Sequence, residues 1–141
     1  MKSILIIGLG RFGRHLCRKF MSLKNEVMIV DRDEAAVTAL ADEVTSAQIA
    51  DCTDENALRA LGVKNFDLCF VCIGSDFASS LLITSMLKDM GAARVVAKAS
   101  QDIHAKLLLR NGADEVVYPE RDSAERMATR LSAQNVFDYI E

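Results

Sequence analysis

The sequence lacks long apolar runs and an excess of basic residues. No apolar stretch approaches the ~20 residues that a bilayer crossing needs, and the short apolar run near the N-terminus is not that of a signal peptide. With 17 basic and 20 acidic residues and no basic stripe, nucleic acid is a poor candidate partner. We therefore expect a soluble, cytoplasmic protein that neither inserts into a membrane nor binds nucleic acid.

Side chains that commonly transfer protons in enzymes are also scarce. Histidine occurs twice, at His15 and His104, and both are predicted to be polar surface positions on helices. Neither Tyr118 nor Tyr139 is followed four residues later by the lysine that short-chain dehydrogenases pair with tyrosine. We assign no catalytic residue and predict a site that binds a ligand without reacting with it.

The four cysteines do not form an obvious metal or redox site. Cys69 and Cys72 have the spacing of such a pair, but they lie in the apolar run DLCFVCIG, which is typical of a buried strand. Residues three apart on a strand point to opposite faces, so these thiols could neither bridge nor share an ion. We predict no metal ligands and interpret the cysteines as core residues in a reducing compartment.

What the sequence does contain is a regular alternation of strands and helices. Continuous apolar runs such as SILII and VMIV are typical of strands covered on both faces. Apolar residues at helical spacing lie between them. The sequence predicts an α/β, Rossmann-like doubly wound fold, with helices on both faces of a six-stranded parallel sheet of order 3-2-1-4-5-6. The predicted strands are Ile4–Ile7, Glu26–Val30, Ser46–Ala50, Leu68–Ile73, Arg94–Ala97 and Glu115–Tyr118.

Several residues mark where the predicted helices begin and end. Gly91 and Gly112 are placed to end helices, and Thr53 and Ser75 are placed as N-caps. The sole proline, Pro119, follows the last predicted strand and introduces the final helix. No linker or low-complexity segment interrupts the chain, whose length suits one domain.

A glycine loop follows the first predicted strand. Gly8, Gly10 and Gly13 have the spacing GxGxxG, between a strand and an amphipathic helix. In that context the glycines permit a tight turn, close approach to a pyrophosphate and close helix packing, and the helix N-terminus attracts phosphate. Asp31 lies 18 residues after Gly13, at the end of the second predicted strand, where an acid accepts hydrogen bonds from ribose and disfavours a 2′-phosphate. A bound mononucleotide or dinucleotide is the favoured interpretation, and a loop kept for packing alone is the alternative.

Two arginines add charge to this candidate site. Arg11 is a long cation within the glycine spacing, and it would favour phosphate-rich ligands such as ATP unless it points into water. Arg32 follows Asp31 and is interpreted as an adenine-side contact or a solvated charge. The ends of the third and fourth predicted strands, ADCT and CIGSD, are further candidate ligand neighbours.

Over essentially its whole length the sequence resembles the RCK N-terminal (KTN, or TrkA-N) domain. The most specific motifs are G-x-G-R-F-G, D-x-T-x-x-x-x-L-x-x-x-G and N-G-A-D-x-V-x-x-P-E. The likeness is greatest to the cytosolic regulatory subunits of bacterial Ktr and Trk potassium uptake systems. It implies a domain that binds NAD(H) or ATP, ADP or AMP, forms dimers and rings (up to octamers), and gates a membrane potassium transporter or channel from the inner face of the membrane.

The resemblance also assigns roles to individual residues. It places the glycine loop around the phosphates, with Arg11 reaching the terminal phosphates, and Glu120 beside a Mg²⁺ ion that accompanies ATP. Lys98 would lie near the phosphates, Asp31 and Arg32 on the ribose and adenine side, and the third strand end beside the base. The residues so implied are Gly8, Leu9, Gly10, Arg11, Phe12, Gly13, Asp31, Arg32, Asp51, Cys52, Thr53, Ile73, Gly74, Ser75, Lys98 and Glu120.

Family members commonly carry a second domain, RCK-C, after this one, and we expect residues 1–141 to be a single RCK N-terminal domain without it. The apolar residues of NVFDYI, at 135–140, predict that the last helix and the tail pack against another subunit. Two alternative functions stay open: the cofactor domain of an NAD-dependent oxidoreductase, and the regulatory domain of a cation/proton antiporter.

Overall fold

Six parallel strands form the centre of the molecule in the computed structural model, which describes residues 1–133. The sheet order is β3-β2-β1-β4-β5-β6, as the sequence predicted. The strands are β1 Ser3–Ile7, β2 Glu26–Asp31, β3 Ser46–Ile49, β4 Leu68–Val71, β5 Val95–Lys98 and β6 Glu115–Val117. β4 ends two residues earlier than expected, so Cys72 and Ile73 belong to the loop after it.

Two apolar clusters cover the two faces of the sheet. Successive residues of β1 alternate between them: Leu5 and Ile7 belong to one cluster, and Ile4 and Ile6 to the other. All four are at most 2% exposed. Successive side chains of a strand point to opposite faces of the sheet, and here both faces are covered. For this reason every residue of the apolar run Ile4–Ile7 is buried.

Helices lie on both sides of the sheet. They are α1 Arg11–Ser22, α2 Glu34–Leu40, α3 Glu55–Arg59, α4 Phe77–Asp89, α5 Asp102–Arg110 and α6 Pro119–Ser132, with short 3₁₀ turns at Ala41–Glu43 and Val63–Asn65. α1 and α2 contribute to the cluster that contains Ile4 and Ile6, and α3, α4 and α5 contribute to the other. The sheet is therefore covered on both faces, as in doubly wound folds.

The helix caps differ in part from those expected. Gly91 and Gly112, with φ of 83° and 121°, follow the ends of α4 and α5 as predicted. The N-cap assignments to Thr53 and Ser75 are wrong, because α3 and α4 each begin one residue later, after Asp54 and Asp76. A carboxylate is a strong acceptor for the unpaired N–H groups of a first turn, so the aspartates replace the hydroxyl residues as caps.

The last helix differs from the others because it has no buried residue. It follows β6 after a single residue, Tyr118, and begins with Pro119, as the sequence predicted. Among residues 1–133, no helix is both long and apolar enough to cross a bilayer. The NVFDYI segment, at 135–140, lies outside the described residues.

Candidate functional site

A cleft opens at the carboxyl ends of the strands, between β1 and β4. At this point the order in which successive strands are added to the sheet reverses its direction. Its volume is about 440 Å³, which lies within the range of small-molecule sites. Open α/β sheets bind ligands at this point, because adjacent loops diverge to opposite faces there. The cleft is lined by Ile7, Gly8, Leu9, Gly10, Val30, Asp31, Arg32, Ala50, Asp51, Cys52, Thr53, Cys72, Ile73, Gly74, Ser75, Asp76, Ser79, Ile83 and Lys98.

The three glycines of the loop meet different constraints. Gly8 has φ of +101°, and its N–H donates to the carbonyl of Val30 at 2.9 Å, which continues the sheet into the turn. A Cβ on Gly13 would overlap the carbonyl oxygen of Gly8, so Gly13 lets α1 pack against the loop. A Cβ on Gly10 would meet nothing within 4 Å. Gly10 therefore faces the open space of the cleft, where part of a bound ligand could approach the backbone of the loop.

The N-terminus of α1 is free to bind an anion. Among the six described helices, only α1 combines the absence of a side-chain cap with the absence of an acidic residue in its first turn. By contrast, α2, α3 and α4 have aspartate N-caps whose carboxylates accept backbone N–H groups. The unpaired N–H groups and positive helix end of α1 thus remain available at the mouth of the cleft.

Asp31 holds the glycine loop from the end of β2. Its Oδ2 accepts the N–H of Leu9 at 2.8 Å, and its Oδ1 accepts the N–H of Asp33 at 2.9 Å. Each carboxylate oxygen has a second lone pair, so the side chain can still accept hydrogen bonds from a ribose. Asp31 therefore fixes the loop and lines the cleft with the same carboxylate.

Two further carboxylates, Asp51 after β3 and Asp76 after β4, also line the cleft. Asp51 Oδ1 accepts both the hydroxyl of Thr53 at 2.6 Å and its N–H at 3.0 Å. Asp76 accepts the hydroxyl of Ser79 at 2.6 Å and its N–H at 3.1 Å. These hydrogen bonds lower the pKa of both carboxyls, with a smaller contribution from the charge of Arg32. Both aspartates are therefore ionised at neutral pH, and their loop contacts are lost only as the pH falls through the lowered pKa values.

The charged residues that the sequence analysis placed around the ligand, apart from the aspartates, separate into two groups. Arg32 and Lys98 line the cleft. Lys98 ends β5, one residue beyond the predicted strand end at Ala97, and reaches the loop after β4, since a Cβ on Gly74 would lie 2.7 Å from its Nζ. Arg11 is the first residue of α1, and Glu120 lies in the first turn of α6. Both are exposed, and neither is among the residues that line the cleft.

The remaining residues of the expected site are also divided. Phe12 packs against the cluster that contains Ile4 and Ile6, and Gly13 is buried under the loop, so neither lines the cleft. The structure brings the other expected residues together there: Gly8, Leu9, Gly10, Asp51, Cys52, Thr53, Ile73, Gly74 and Ser75, with Asp31, Arg32 and Lys98.

Sequence reasoning included Asp76, as the last residue of CIGSD, but missed the contribution of α4 itself to the cleft. Asp76, Ser79 and Ile83 line it, one helical turn apart on the same side of α4. The spacing of an aspartate three residues before a serine, at the start of an apolar helix, was a usable signal for a cap.

His104 does not face the cleft but stacks on Phe77. The two ring centres are 3.8 Å apart and the ring planes differ by 11°. His15 is exposed on α1. Within residues 1–133, no cluster of three or more histidine, cysteine, aspartate or glutamate residues is placed to hold a metal ion. The lining residues thus offer backbone N–H groups, carboxylates and two cations, which suit the phosphates and hydroxyls of a nucleotide.

All four cysteines are buried, and Cys69 and Cys72 belong to the clusters on opposite faces of the sheet, as the sequence predicted. Burial raises the pKa of Cys52, Cys69 and Cys72 to about 12 and also raises that of Cys17. These thiols are neutral at physiological pH, which makes them poor nucleophiles and poor metal ligands.

We expect the four thiols to resist a maleimide reagent at pH 8 in the folded chain and to react readily in denaturant. A pKa near 12 instead of about 8.5 lowers the thiolate fraction at pH 8 roughly a thousandfold. Mass spectrometry of the labelled chain, with and without urea, measures the difference. Rapid labelling of Cys52, the cysteine beside Asp51 in the cleft, would contradict the burial described here.

Comparisons with known proteins agree with this fold. The sequence profile of the TrkA-N domain family matches residues 4–119. The chain is 43% identical over 140 residues to the Ktr system potassium uptake protein C and 39% identical over 140 residues to the Ktr system potassium uptake protein A, both of Bacillus subtilis strain 168. These alignments cover 99% of the chain and 63% of each relative, so the chain spans less than two thirds of their length.

Solved structures show the same architecture. The TrkA-N domain of the inner membrane protein ybaL from Escherichia coli has a TM-score of 0.82 at 19% identity, covering 94% of this chain and 97% of that one. The GsuK channel bound to NAD has a TM-score of 0.77 at 19% identity, covering 91% and 23%. The AMP-bound Kef CTD of Shewanella denitrificans has a TM-score of 0.78 at 23% identity, covering 96% and 86%. The profile match over most of the chain shows that this chain belongs to the TrkA-N domain family.

Proposed function

We propose that this chain is a nucleotide-binding regulatory domain of a Ktr- or Trk-type potassium uptake system. It binds NAD(H) or an adenine nucleotide (ATP, ADP or AMP), and its occupancy biases a membrane potassium transporter or channel. The observation that carries the proposal is the uncapped N-terminus of α1, which meets a glycine loop held by Asp31 in an open cleft. Relatives named as potassium uptake proteins support the transport context.

The lining residues suggest how such a ligand lies. Phosphates approach Gly10 and the first N–H groups of α1, where the structure leaves open space. The ribose hydroxyls bind Asp31, and the base lies beside Arg32 and the loop that begins at Asp51. The far half of the ligand lies along the loop after β4, near Lys98. The NAD-bound GsuK channel and the AMP-bound Kef CTD, which share this fold, support a ligand of this class.

The proposed role is binding without turnover. Among the described residues that line the cleft there is no histidine, and Asp51 and Asp76 are ionised and hydrogen-bonded within their own loops. A dehydrogenase needs a group that exchanges a proton with its substrate. The cleft's lining residues are better suited to reporting which nucleotide is present.

We propose that a magnesium ion binds at this site only together with ATP. The described residues offer no ready-made metal cluster, and Mg²⁺ commonly binds one or two carboxylates together with nucleotide phosphates. Glu120, in the first turn of α6, remains the proposed carboxylate, although it lies outside the cleft lining. Titrating ATP with and without Mg²⁺, in native chain and in Glu120→Gln, tests this role.

Self-association is part of the proposal, as a dimer or a ring of up to eight chains beneath the transporter, at the inner face of the membrane. α6 supports it, because Met127 and Leu131 on this helix are 48% and 71% exposed. An apolar surface of this kind is a candidate contact between subunits. Light scattering over a range of concentrations measures the assembly, and a monomer throughout would contradict it.

We expect Arg11→Ala to weaken ATP binding about tenfold and NAD binding far less. Arg11 begins α1 beside the phosphate loop, and a guanidinium pairs best with the extra charge of a terminal phosphate. Because Arg11 lies outside the cleft lining, its phosphate partner is proposed to be held either in its own chain or across a subunit interface. Isothermal titration with both nucleotides measures the two affinities.

Arg14→Ala is the matched control, since Arg14 is another exposed arginine of α1, one turn further from the loop. It should leave both affinities unchanged within about twofold. Equal losses for ATP and NAD in Arg11→Ala would refute the terminal-phosphate role.

The function as a whole is tested by releasing the ligand that co-purifies with the chain and identifying it by mass. NAD(H) or an adenine nucleotide is the expected result, together with retention of a potassium transporter when membranes are solubilised gently. Hydride transfer to a carbonyl substrate would instead favour an oxidoreductase domain. Retention of a cation/proton exchanger would favour the antiporter alternative.

A further inference from the structure

The last helix takes its direction from contacts near its first turn. No residue of α6 is buried, so its length does not pack on the domain described here. A single helix of this size is marginal in water, and its geometry depends on what contacts it. The side chains at its start, between Tyr118 and Asp122, therefore have an unusually large influence on where the helix points.

Two of these side chains, Tyr118 and Arg121, form with Asp102 of α5 a cluster that we call the clamp. Tyr118 Oη donates to Asp102 Oδ1 at 2.9 Å, and Arg121 Nη1 donates to the same oxygen at 3.0 Å. The guanidinium carbon of Arg121 lies 3.5 Å from the centre of the Tyr118 ring, a cation–π contact. The ring also packs against the apolar core. The clamp thus joins the first turn of α6 to the first residue of α5 and to the core.

The clamp is exposed enough to open. The side chains of Asp102 and Arg121 are 82% and 49% exposed, and ion pairs in such positions contribute little to stability. The hydrogen bonds from Tyr118 and Arg121 lower the pKa of Asp102, so its carboxylate is charged at neutral pH. These contacts can hold α6 in one direction and still allow that direction to change.

The clamp is connected to the cleft by one short segment. Lys98, which lines the cleft, ends β5, and Asp102 begins α5 four residues later. Between them, the N–H of Ala99 donates to the carbonyl of Val117 at 2.9 Å, next to Tyr118. Residues 98–102 are therefore fastened at two points to the start of α6.

We propose that the clamp couples an anionic ligand at Lys98 to the direction of α6. The inference rests on the nucleotide-binding function proposed above. It adds the route by which ligand binding in the cleft affects the last helix. A phosphate that pairs with Lys98 shifts residues 98–102 and so favours one arrangement of Asp102, Tyr118 and Arg121 over another. A ligand shifts such an equilibrium only by its difference in affinity for the two arrangements, so nucleotides that reach Lys98 differently give different directions of α6.

The direction of α6 can be measured with two spin labels. Ser22→Cys on α1 and Thr129→Cys on α6 introduce exposed cysteines, while the native thiols are buried and unreactive. Labelled chain is diluted into unlabelled chain, so that distances within one chain are recorded by pulsed electron paramagnetic resonance. We expect a narrow distance distribution without ligand and a shift of its maximum with ATP.

Asp102→Ala, which removes the shared acceptor, should broaden the distribution without ligand and abolish the shift with ATP. Tyr118→Phe keeps the ring beneath Arg121 and removes one donor, so it should give a partial loss of the shift. Glu55→Gln is the control, because it removes the exposed pair between Glu55 and Arg59 on α3, whose charged atoms are 2.8 Å apart, far along the chain from the clamp. It should change neither the width nor the shift.

Two outcomes would overturn the inference: an unchanged distribution in unliganded Asp102→Ala, or an unchanged ATP shift in that variant. Calorimetry on the same samples separates this failure from failure of the proposed function. If the native chain binds neither ATP nor NAD, the nucleotide proposal fails and the coupling fails with it. The comparison of unliganded native chain and Asp102→Ala still decides whether the clamp directs α6.

Discussion

Gly13→Ala is expected to lower the free energy of unfolding by about 2 to 3 kcal/mol and to abolish nucleotide binding. The new methyl group would overlap the carbonyl oxygen of Gly8, and neither backbone can yield without separating α1 from the sheet. Alanine favours a helix over glycine by roughly 1 kcal/mol, and overpacking at a backbone contact outweighs this gain. Urea denaturation followed by circular dichroism measures the stability, and calorimetry measures the binding.

Gly10→Ala separates the effect on the ligand from the effect on the fold. Its methyl group would meet no protein atom within 4 Å and its φ is −70°, so the loop accommodates it. We expect stability within about 1 kcal/mol of the native chain, since alanine is only a poorer N-cap. Affinity should nevertheless fall at least about tenfold, because the methyl group occupies the space of a phosphate. Native affinity in Gly10→Ala would mean that the ligand does not approach α1 at this point.

Asp31→Asn is expected to lose both stability and affinity. The carboxylate of Asp31 accepts the N–H of Leu9 and the N–H of Asp33 through different oxygens. An amide has only one acceptor oxygen, so one of these N–H groups faces another donor. We expect a loss of about 1 to 3 kcal/mol in unfolding free energy and a fall of about 10- to 100-fold in NAD affinity, because the ribose also loses a charged acceptor.

Asp33→Asn is the matched control, two residues away. The side chain of Asp33 caps α2 by accepting the N–H of Ala35 at 3.1 Å, and asparagine caps a helix as well as aspartate does. The substitution makes the same change of charge near the cleft and leaves the loop contacts of Asp31 intact. If both variants lost affinity equally, net charge rather than the position of the Asp31 carboxylate would explain the effect.

The sequence determined the sheet order and the place of the glycine loop. Runs such as SILII, in which residues on both faces are apolar, require helices on both sides, and right-handed connections then leave few possible orders. The glycine loop was predictable because its spacing and its position after a strand are local properties of the chain. For the same reason the end of β2 correctly placed Asp31 at the edge of the cleft.

Only the tertiary structure decided how side chains distant in the chain meet. The contact of Asp31 with Leu9 joins residues 22 positions apart, and the reach of Lys98 to the loop at Gly74 depends on the pairing of β4 with β5. The exposure of α6 and the meeting of Asp102 with Tyr118 and Arg121 were equally invisible in the pattern of apolar residues. Periodicity reports which face of an element is apolar, whereas such contacts depend on strand register, loop path and side-chain length, which are fixed only when the whole sheet is assembled.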